Sequence, residues 1–572
     1  MSKIRVALMF VITVSFICGI ALGADYYVDG VNGSNSNGGR FSDDAWLNIG
    51  YALSRVRGTS SNPANIYIAA GTYSETANGE PYPITMESYT SLIGAGADST
   101  ILDAEGEAYP VVSCMSLDDA ALSNLMLRGG KADVIRSQGT GGGVMSSGCN
   151  SLMIDACIIS ENSAVMGAGL YLMESSGTLR DCQVIRNTVD AATEDDGYCS
   201  GGGISWINCS LTIDGCVIAE NTALGRGDGG GMGAGIYGAA YTYGHRAFTD
   251  VLGRGMAESK YETVIRDCVI SDNSSGGDIS ASGMGGGVCV GDDSPSFRNC
   301  LFMGNYASIC GGALLFGAYD GECSPEILNC TLTKNDAGYN TGGAICSMDA
   351  TPVVQNCIIW GAGDTIDEMG GGVSLSYCCT QSDYWGAGNI SEDPLFETGP
   401  LGDYYLDPDS PCIDAGSQSA ADAGLTNHTT QADGTPDTGV VDMGYHYPLG
   451  SDEVPTIDCW LNASEFAAGE QLIGMYQISN SGSDITVDVY FAFVMPDGKI
   501  LCISPTLIDF GIFPCITGLL LEQGYLMSPE TLLDIFVPGG LPAGGYLFAG
   551  ALSTPGQFEV IGEISLYSLS LH

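Results

Sequence analysis

Apolar and variable positions alternate along this chain in short runs, and one phrase of nine residues returns many times. The phrase reads apolar, any residue, Asp, Asn, Gly or Ala, then Cys, any residue, apolar, two variable residues and Asn. Two copies are Ile154 to Asn162 and Ile265 to Asn273. Alternation over so few residues is typical of strands rather than helices. The pattern therefore predicts many short β-strands separated by sharp turns.

Two markers recur in step. Cysteine marks seven copies and Asn follows it by five residues in six of them, while the seventh copy has Ala362. The cysteines are Cys157, Cys182, Cys216, Cys268, Cys300, Cys330 and Cys357, and the asparagines are Asn162, Asn187, Asn221, Asn273, Asn305 and Asn335. A three-residue run of Gly and Ala precedes each cysteine, starting at Gly141, Gly167, Gly201, Gly233, Gly285, Gly311 and Gly342, with an eighth at Gly370. Such self-similarity predicts a solenoid, since a single coil cannot bury its apolar face and must stack on its neighbours.

Spacing and residue type assign a role to each marker. Successive glycine runs begin 26 to 34 residues apart, with one interval of 52, which fits one coil of a β-helix with inserted loops. Glycine permits the dihedrals of a sharp bend. Asparagine at a fixed position predicts a turn, either because it tolerates the left-handed region or because stacked amides bond along the stack. Cysteine at a fixed position predicts an inward-facing column of small apolar residues.

Free buried thiols are favoured for this column over two alternatives. Disulfides between neighbouring coils are the first, because exported proteins usually oxidise their cysteines. A strand spacing of about 4.8 Å only roughly suits disulfide geometry. Zinc is the second, and the close-spaced Cys/His pairs that it usually requires are absent from the sequence.

Three stretches carry a resemblance to a known group of proteins. They are an entry segment, Tyr26-Tyr27-Val28-Asp29-Gly30 to Tyr73; the repeats, with Gly311-Gly312-Ala313-Leu314 and Gly342-Gly343-Ala344-Ile345; and a closing segment, with Asp393-Pro394-Leu395-Phe396, Ser410 to Gly416 and Asp442-Met443-Gly444. Over residues 25–447 the chain resembles the right-handed parallel β-helix proteins of the pectin-lyase-like superfamily. Its repeats resemble those of polymorphic outer-membrane proteins. The resemblance implies an all-β solenoid and says little about activity.

The N-terminus predicts export. Lys3 and Arg5 precede an apolar stretch, and Ala21-Leu22-Gly23 offers small residues for cleavage, which is typical of a signal peptide over residues 1–23. We therefore expect a secreted, extracellular or cell-surface protein of bacterial origin, with no membrane-spanning segment in the mature chain. A formal charge of −49 argues against a nucleic-acid partner, which needs basic surface.

Composition shifts divide the chain after the signal peptide. Residues 24–115 are predicted to form an N-terminal cap and first coils, and residues 116–449 the parallel β-helix with its closing segment. Residues 450–455 are predicted to be a linker. Beyond it, residues 456–572 hold short apolar runs punctuated by turn signals, such as Pro496-Asp497-Gly498, which predict a small C-terminal β-sandwich.

No recognisable catalytic set follows from the sequence. The resemblance implies that an enzyme of this fold could use Gly-His-Gly with Arg-Ile-Lys, or an Arg-Pro motif beside Ca²⁺-binding carboxylates. This chain has Gly244-His245-Arg246 and none of the other motifs. Its acidic pairs, such as Asp118-Asp119 and Asp292-Asp293, are predicted to be solvated turns, because adjacent strand residues point to opposite faces. No motif specifies a metal or cofactor, and Ca²⁺ is left open.

An insertion before Cys268 supplies the candidate ligand-binding residues Tyr241, Tyr243, His245 and Arg246. Tyrosine can pack against a ligand while its hydroxyl makes a polar contact, and arginine can pair with a uronate carboxylate. The alternative is a lid that packs on the solenoid and binds nothing.

Together these features favour a non-catalytic glycan-binding or adhesion protein whose partner is a polysaccharide or surface glycan. A polysaccharide lyase or glycoside hydrolase acting on acidic polysaccharides is the second reading, and a purely structural surface component is the third. A fold by itself does not choose among them, because function depends on the site.

Overall fold

The computed structural model divides the chain into two compact units at Tyr447 and Pro448. The first is described over residues 24–132, 139–191, 198–225, 230–240, 261–277, 282–319, 321–339, 341–361, 363 and 365–447. The second is described over 448–449 and 455–571, without 464, 481–484, 497–498, 505–506, 511–513, 522–524, 527–529, 539–540 and 555–559. The predicted signal peptide and most of the predicted linker lie outside the described residues.

Three long parallel sheets build the first unit, and each coil contributes to them in the order sheet 2, sheet 1, sheet 3. Sheet 1 contains Ala24–Val28, Ala64–Ile68, Thr90–Gly94, Ala121–Ser123, Leu152–Asp155, Ser176–Arg180, Ser210–Asp214, Val264–Arg266, Ser296–Arg298, Glu326–Leu328, Val353–Gln355 and Ser374–Ser376. Sheet 2 contains Ile84–Thr85, Val112–Met115, Val144–Ser147, Leu170–Met173, Ile204–Ile207, Ile236–Ala239, Val288–Gly291, Leu314–Gly317, Ile345–Met348 and Ile366–Met369. Sheet 3 contains Gly71–Tyr73, Thr100–Asp103, Met126–Arg128, Ile158–Ser160, Gln183–Ile185, Val217–Ala219, Val269–Ser271, Leu301–Met303, Thr331–Thr333, Ile358–Trp360 and Cys379–Thr380. The predicted right-handed parallel β-helix is confirmed.

Shorter elements complete this unit. Sheet 4 contains Ser163–Ala164, Thr188–Asp190, Thr222–Gly225, Ser274–Gly277, Tyr306–Ala307 and Asp336–Ala337, and sheet 5 contains Cys199–Ser200, Gly230–Met232 and Ser282–Met284. The helices are Ile49–Arg55, Glu75–Asn78 and Ala420–Ala423, with a 3₁₀ turn at Ser42–Asp44. Two small pairs lie near the end, Phe396–Gly399 with Gly402–Leu406 and His428–Thr429 with Tyr447–Pro448. Because Ala24–Val28 already belongs to sheet 1, the solenoid begins at the first described residue.

The six recurring asparagines form one continuous buried stack, here called the asparagine ladder. Each Nδ2 donates to the Oδ1 of the next member at 3.0 to 3.1 Å. Each backbone N–H donates to the same Oδ1. The left-handed conformation belongs instead to the preceding residue, for example Glu161 at φ 58° and Lys334 at φ 57°. Of the two roles predicted for asparagine, stacking is correct and the left-handed turn lies one residue earlier.

The glycine runs keep step with the ladder because the two touch. A Cβ on Gly169 would lie 3.1 Å from the Asn187 amide nitrogen, and one on Gly203 would lie 3.0 Å from that of Asn221. The Cβ on Gly169 would also lie 2.4 Å from the carbonyl oxygen of Gly203. A side chain at Gly169 or Gly203 would therefore crowd the neighbouring coil.

We expect Asn221→Leu to lower the free energy of unfolding by about 3 kcal/mol or more. The change removes four hydrogen bonds made by the Asn221 amide and leaves buried polar groups of Asn187 and Asn273 without a partner. Each lost hydrogen bond costs about 1 kcal/mol net. Urea unfolding measures the change, and Asn150→Ala, an exposed asparagine bonded to Asp118, is the control. Equal effects of the two substitutions would contradict the role given to the ladder.

The recurring cysteines line the interior, as predicted, and each of the seven is at most 1 % exposed. Their free-thiol state stays a prediction. They are held by the backbone: the N–H of Cys300 donates to the Sγ of Cys330 at 3.3 Å, and that of Cys330 to Cys357 at 3.4 Å. Burial raises the pKa of Cys268 and Cys300 well above its usual range. These thiols are therefore uncharged and unreactive at neutral pH.

We expect none of the seven recurring cysteines to react with iodoacetamide in the native protein, and all seven to react after denaturation. Their sulfurs are sealed from water, and alkylation requires an accessible thiolate. Mass spectrometry of peptides from native and denatured samples gives the comparison. A native disulfide between two of the seven recurring cysteines would contradict the prediction.

The closing segment folds back over the outer face of sheet 3 rather than covering the end of the solenoid alone. In the later coils, the residue before the recurring cysteine contacts this segment. Asn299 exchanges hydrogen bonds with the backbone of His446, and Asn356 accepts from the N–H of Ser417 at 2.9 Å. Asp267 accepts from Asn299 at 2.7 Å and lies 3.4 Å from His428 Nε2. In the earlier coils this position is held by Ala156, Asp181 and Gly215.

Asp267 makes this contact pH-dependent. Burial raises its pKa, but hydrogen bonds from His428 and Asn299 outweigh burial, and the pKa is lowered overall. A carboxyl whose folded pKa lies below the unfolded value of about 3.9 stabilises the fold above that pH, and the contribution is lost as pH falls through the folded pKa.

We expect Asp267→Asn to loosen the closing segment by about 1 kcal/mol at neutral pH and to remove part of its acid sensitivity. Hydrogen exchange of the amides in residues 396–447, corrected for intrinsic rates, measures both effects. Asp181→Asn is the matched control, because Asp181 holds the same place in the phrase two coils earlier. An identical response of both variants would contradict the contact.

The second unit is a β-sandwich, as predicted. One sheet contains Thr456–Leu461, Gln471–Asn480, Tyr525–Leu526 and Glu530–Phe536. The other contains Glu465–Phe466, Ile485–Val494, Ile500–Ser504, Leu507–Phe510, Ile516–Leu521, Gly544–Ser553 and Val560–Leu571. Apolar side chains of both sheets form one core, in which the rings of Tyr476 and Phe491 lie 4.8 Å apart.

Candidate functional site

An open groove forms where the asparagine ladder ends. Asn335 is the last member, and sheet 4 stops one residue later with Asp336–Ala337. The next coil has the sheet 3 strand Ile358–Trp360 but no sheet 4 strand among the described residues. The step left by the missing strand exposes the side of the preceding coil.

The groove has a volume of about 830 Å³ and combines aromatic and charged side chains. Its lining is Thr333, Lys334, Asp336, Trp360, Gly361, Gly363, Phe396, Asp403 and Tyr404. Trp360 and Phe396 are partly buried, whereas Lys334, Asp336 and Asp403 are exposed. The groove therefore combines partly sheltered aromatic surface with exposed charges.

The closing segment supplies one wall and holds it firmly. The rings of Phe396 and Tyr404 pack edge to face at 5.3 Å, and the N–H of Tyr404 donates to the Tyr447 hydroxyl at 3.2 Å. The Thr398 hydroxyl donates to Asp403 at 2.9 Å, which orients that carboxylate. The opposite wall is the solenoid itself, where Thr333 and Trp360 are paired on neighbouring strands.

Lys334 joins the two walls. Its ammonium lies 5.2 Å from the ring centroid of Tyr404. Hydrogen bonding to Tyr404 and the nearby Asp403 carboxylate raise the pKa of Lys334 above its ordinary value. Lys334 is therefore a cation at neutral pH and does not serve as a proton acceptor.

This arrangement suits a ligand with both apolar faces and polar groups. Partly exposed aromatic rings can stack on a flat apolar face, while a cation and two carboxylates can bond hydroxyl or carboxylate groups at the edge. A sugar ring offers both kinds of surface. An extended glycan could also leave the groove at either end, because the groove is open.

The residues predicted for ligand binding, Tyr241, Tyr243, His245 and Arg246, lie outside the described residues, and their role stays a prediction. Their insertion leaves sheet 2 after Ala239 and the chain rejoins sheet 1 at Val264–Arg266. Arg266 bonds Asp214 at 2.6 Å, which is a scaffold contact within sheet 1.

One of the acidic pairs differs from the prediction. Asp293 is 7 % exposed rather than solvated, and it accepts a hydrogen bond from the indole of Trp206 at 3.0 Å. Burial raises its pKa. The indole N–H of a fully buried Trp206 requires an acceptor, which explains the buried carboxyl.

Asp437, Asp442 and His446 form the one group of His, Cys, Asp and Glu ligands, within the described residues, whose atoms converge to 4.8 Å. They are engaged by the closing segment itself. His446 Nε2 lies 2.9 Å from Asp437 Oδ2, while Asp442 accepts from the N–H of Asp414 at 2.7 Å and from the Thr430 hydroxyl. We therefore assign this group to the stability of the closing segment.

The sequence contains one signal for the groove, and it is a departure from the repeat. Ala362 stands where six other copies have asparagine. The flanking Gly361 and Gly363 line the groove. The aromatic wall could not be anticipated, because Phe396 and Tyr404 reach the groove through the return of the closing segment.

No family model and no curated protein matches the chain. Among solved structures, it is similar to the GH136 lacto-N-biosidase of Eubacterium ramulus, with 9% identity, a TM-score of 0.33, and 64% of this chain and 67% of that chain covered. It is similar to the pectin methylesterase of Aspergillus niger, with 11% identity, a TM-score of 0.24, and coverage of 65% and 87%. It is also similar to the A-module of the mannuronan C-5 epimerase AlgE6 of Azotobacter vinelandii, with 12% identity, a TM-score of 0.28, and coverage of 59% and 95%. The assignment of this chain to the parallel β-helices rests on the register of its own strands.

Helices that could cross a membrane are not found in the part of the chain that the structure describes.

Proposed function

We propose that this protein is secreted or displayed at the cell surface and binds a polysaccharide or surface glycan without cleaving it. The observation that carries the proposal is the open groove, with Trp360 and Phe396 in its opposite walls and the exposed Lys334 beside them. The predicted signal peptide supports export. The strong negative charge of the chain disfavours nucleic acid as the partner.

Stacking is the main source of affinity in this proposal. The indole of Trp360 is large, partly exposed and held on a rigid strand, so that little side-chain freedom is lost on binding. Lys334 adds recognition of a carboxylate or sulfate, since it is positively charged. Asp336 and Asp403 limit the attraction for densely charged glycans, because they place two negative charges beside this single positive one.

Binding is favoured over catalysis by the chemistry of the rim. Lys334 holds its proton, and one oxygen of Asp403 is occupied by the Thr398 hydroxyl. The second candidate is a polysaccharide lyase or glycoside hydrolase that uses Asp336 and Asp403 as a carboxylate pair, as glycoside hydrolysis requires. A purely structural role is the third, and it predicts no ligand for the groove.

We expect the mature protein to be retained on at least one member of a panel of plant, algal and bacterial polysaccharides. Trp360→Ala should weaken this binding by about 10-fold or more, which corresponds to about 1.4 kcal/mol. Affinity electrophoresis followed by calorimetry measures the effect. Trp385→Ala is the matched control, because Trp385 is fully exposed in the same unit and outside the groove.

Two further readouts separate the candidates. Lys334→Ala should weaken binding to uronate or sulfate glycans more than binding to neutral ones. Assays for new reducing ends and unsaturated uronates, with and without Ca²⁺, test cleavage on the same panel. Cleavage that is lost in Asp336→Asn or Asp403→Asn would establish the enzyme, and retention that depends on Trp385 rather than Trp360 would overturn the groove.

A further inference from the structure

A second cluster of cysteines lies on the outer face of sheet 2, apart from the interior column. Cys289, Leu315 and Cys346 follow one another on neighbouring strands and point away from the interior. Cys310 precedes the glycine run that leads into the strand Leu314–Gly317, and it packs against the same face. The three cysteines are at most 3 % exposed.

Glycine makes this packing possible. A Cβ on Gly285 would lie 2.7 Å from the Cβ of Cys289, and a Cβ on Gly342 would lie 2.9 Å from that of Cys346. The first glycine of each run also has a positive φ, 63° at Gly285 and 62° at Gly342. The run can therefore fold closely over the outer face and bring Cys310 to Cys346.

Methionines surround these thiols. Met232 and Met284 are paired on neighbouring strands of sheet 5, and Met284 is bridged in turn to Cys310. Met348 follows Cys346 by two residues and so lies on the same face of its strand. These three methionines are partly buried and pack against the cluster.

Electrostatics at the cluster favour a cation. Cys310 and Cys346 pack in the same cluster of side chains. Asp367 follows Cys346 on the next strand and places a carboxylate beside it. A thiol that binds a metal ion loses its proton to solvent, and the ion supplies the charge that keeps the thiolate buried.

We propose that Cys310 and Cys346, with the thioether of Met284 or Met348, form a binding site for a soft monovalent metal ion such as Cu(I). Thiolate and thioether sulfur select Cu(I) over the hard cations Ca²⁺ and Mg²⁺, which take oxygen ligands. The interior cysteine column offers no such site, because its thiols are sealed among Ile, Leu and Phe side chains. The site is independent of the groove and of the proposed glycan.

The test uses the full mature chain, fully reduced and kept without oxygen. Cu(I) is titrated in competition with a chromophoric chelator, and X-ray absorption identifies the ligands. We expect one equivalent bound by sulfur alone, and no binding of Ca²⁺ that competes with it. Cys310→Ser and Cys346→Ser should each abolish this equivalent, and Met284→Leu should weaken it.

Cys149→Ser is the control, because Cys149 is a buried thiol whose counterpart in the next coil is Ser175. Circular dichroism confirms that each variant is folded, and Met284→Leu keeps the proposal testable if a cysteine variant is not. Absence of Cu(I) binding in the parent protein would overturn the site. So would binding that survives both cysteine substitutions, or an oxygen or nitrogen shell around the metal.

Discussion

The in-register stacking of buried amides is the constraint on which the solenoid depends. Each ladder asparagine satisfies its neighbours on both sides, so that a coil is stable only if the next coil presents the same group at the same height. This explains why Gly and Asn recur in step: where the third residue of the run is glycine, as at Gly169 and Gly203, it packs against the amide and leaves little room for a side chain. Insertions of very different length are tolerated between these points, because the ladder fixes where each coil must return.

Function is best sought where this constraint ends. The last amide is Asn335, the following coil has Ala362, and within the described residues sheet 4 ends with Asp336–Ala337. The closing segment returns along the outer face of sheet 3 and supplies Phe396 and Tyr404 to the groove. The same segment is anchored by residues of the later coils, such as Asn299 and Asn356. The end of the asparagine ladder thus lies beside the wall that the closing segment supplies.

The cysteines show how one residue type acquires two chemistries from position alone. In the interior column they are small apolar residues that also bond the backbone and are sealed from water. On the outer face of sheet 2, Cys289, Cys310 and Cys346 pack beside partly buried methionines. The first environment excludes ions, whereas the second brings together the sulfur ligands that a soft metal prefers.

The sequence alone determined the architecture of this protein, because stacked identical coils require a repeat that can be read directly. The parallel β-helix, the inward cysteine column and the C-terminal sandwich were all predictable from periodicity and turn residues. The burial of Asp293 was not predictable, because its carboxylate accepts a hydrogen bond from the indole of Trp206, 87 residues away. The groove was not predictable either, because its walls come from Trp360 and Tyr404 on separate parts of the chain. The same holds for the cluster that contains Cys310 and Cys346. Local patterns set which way a side chain faces, but only the folded chain decides which distant side chain it meets.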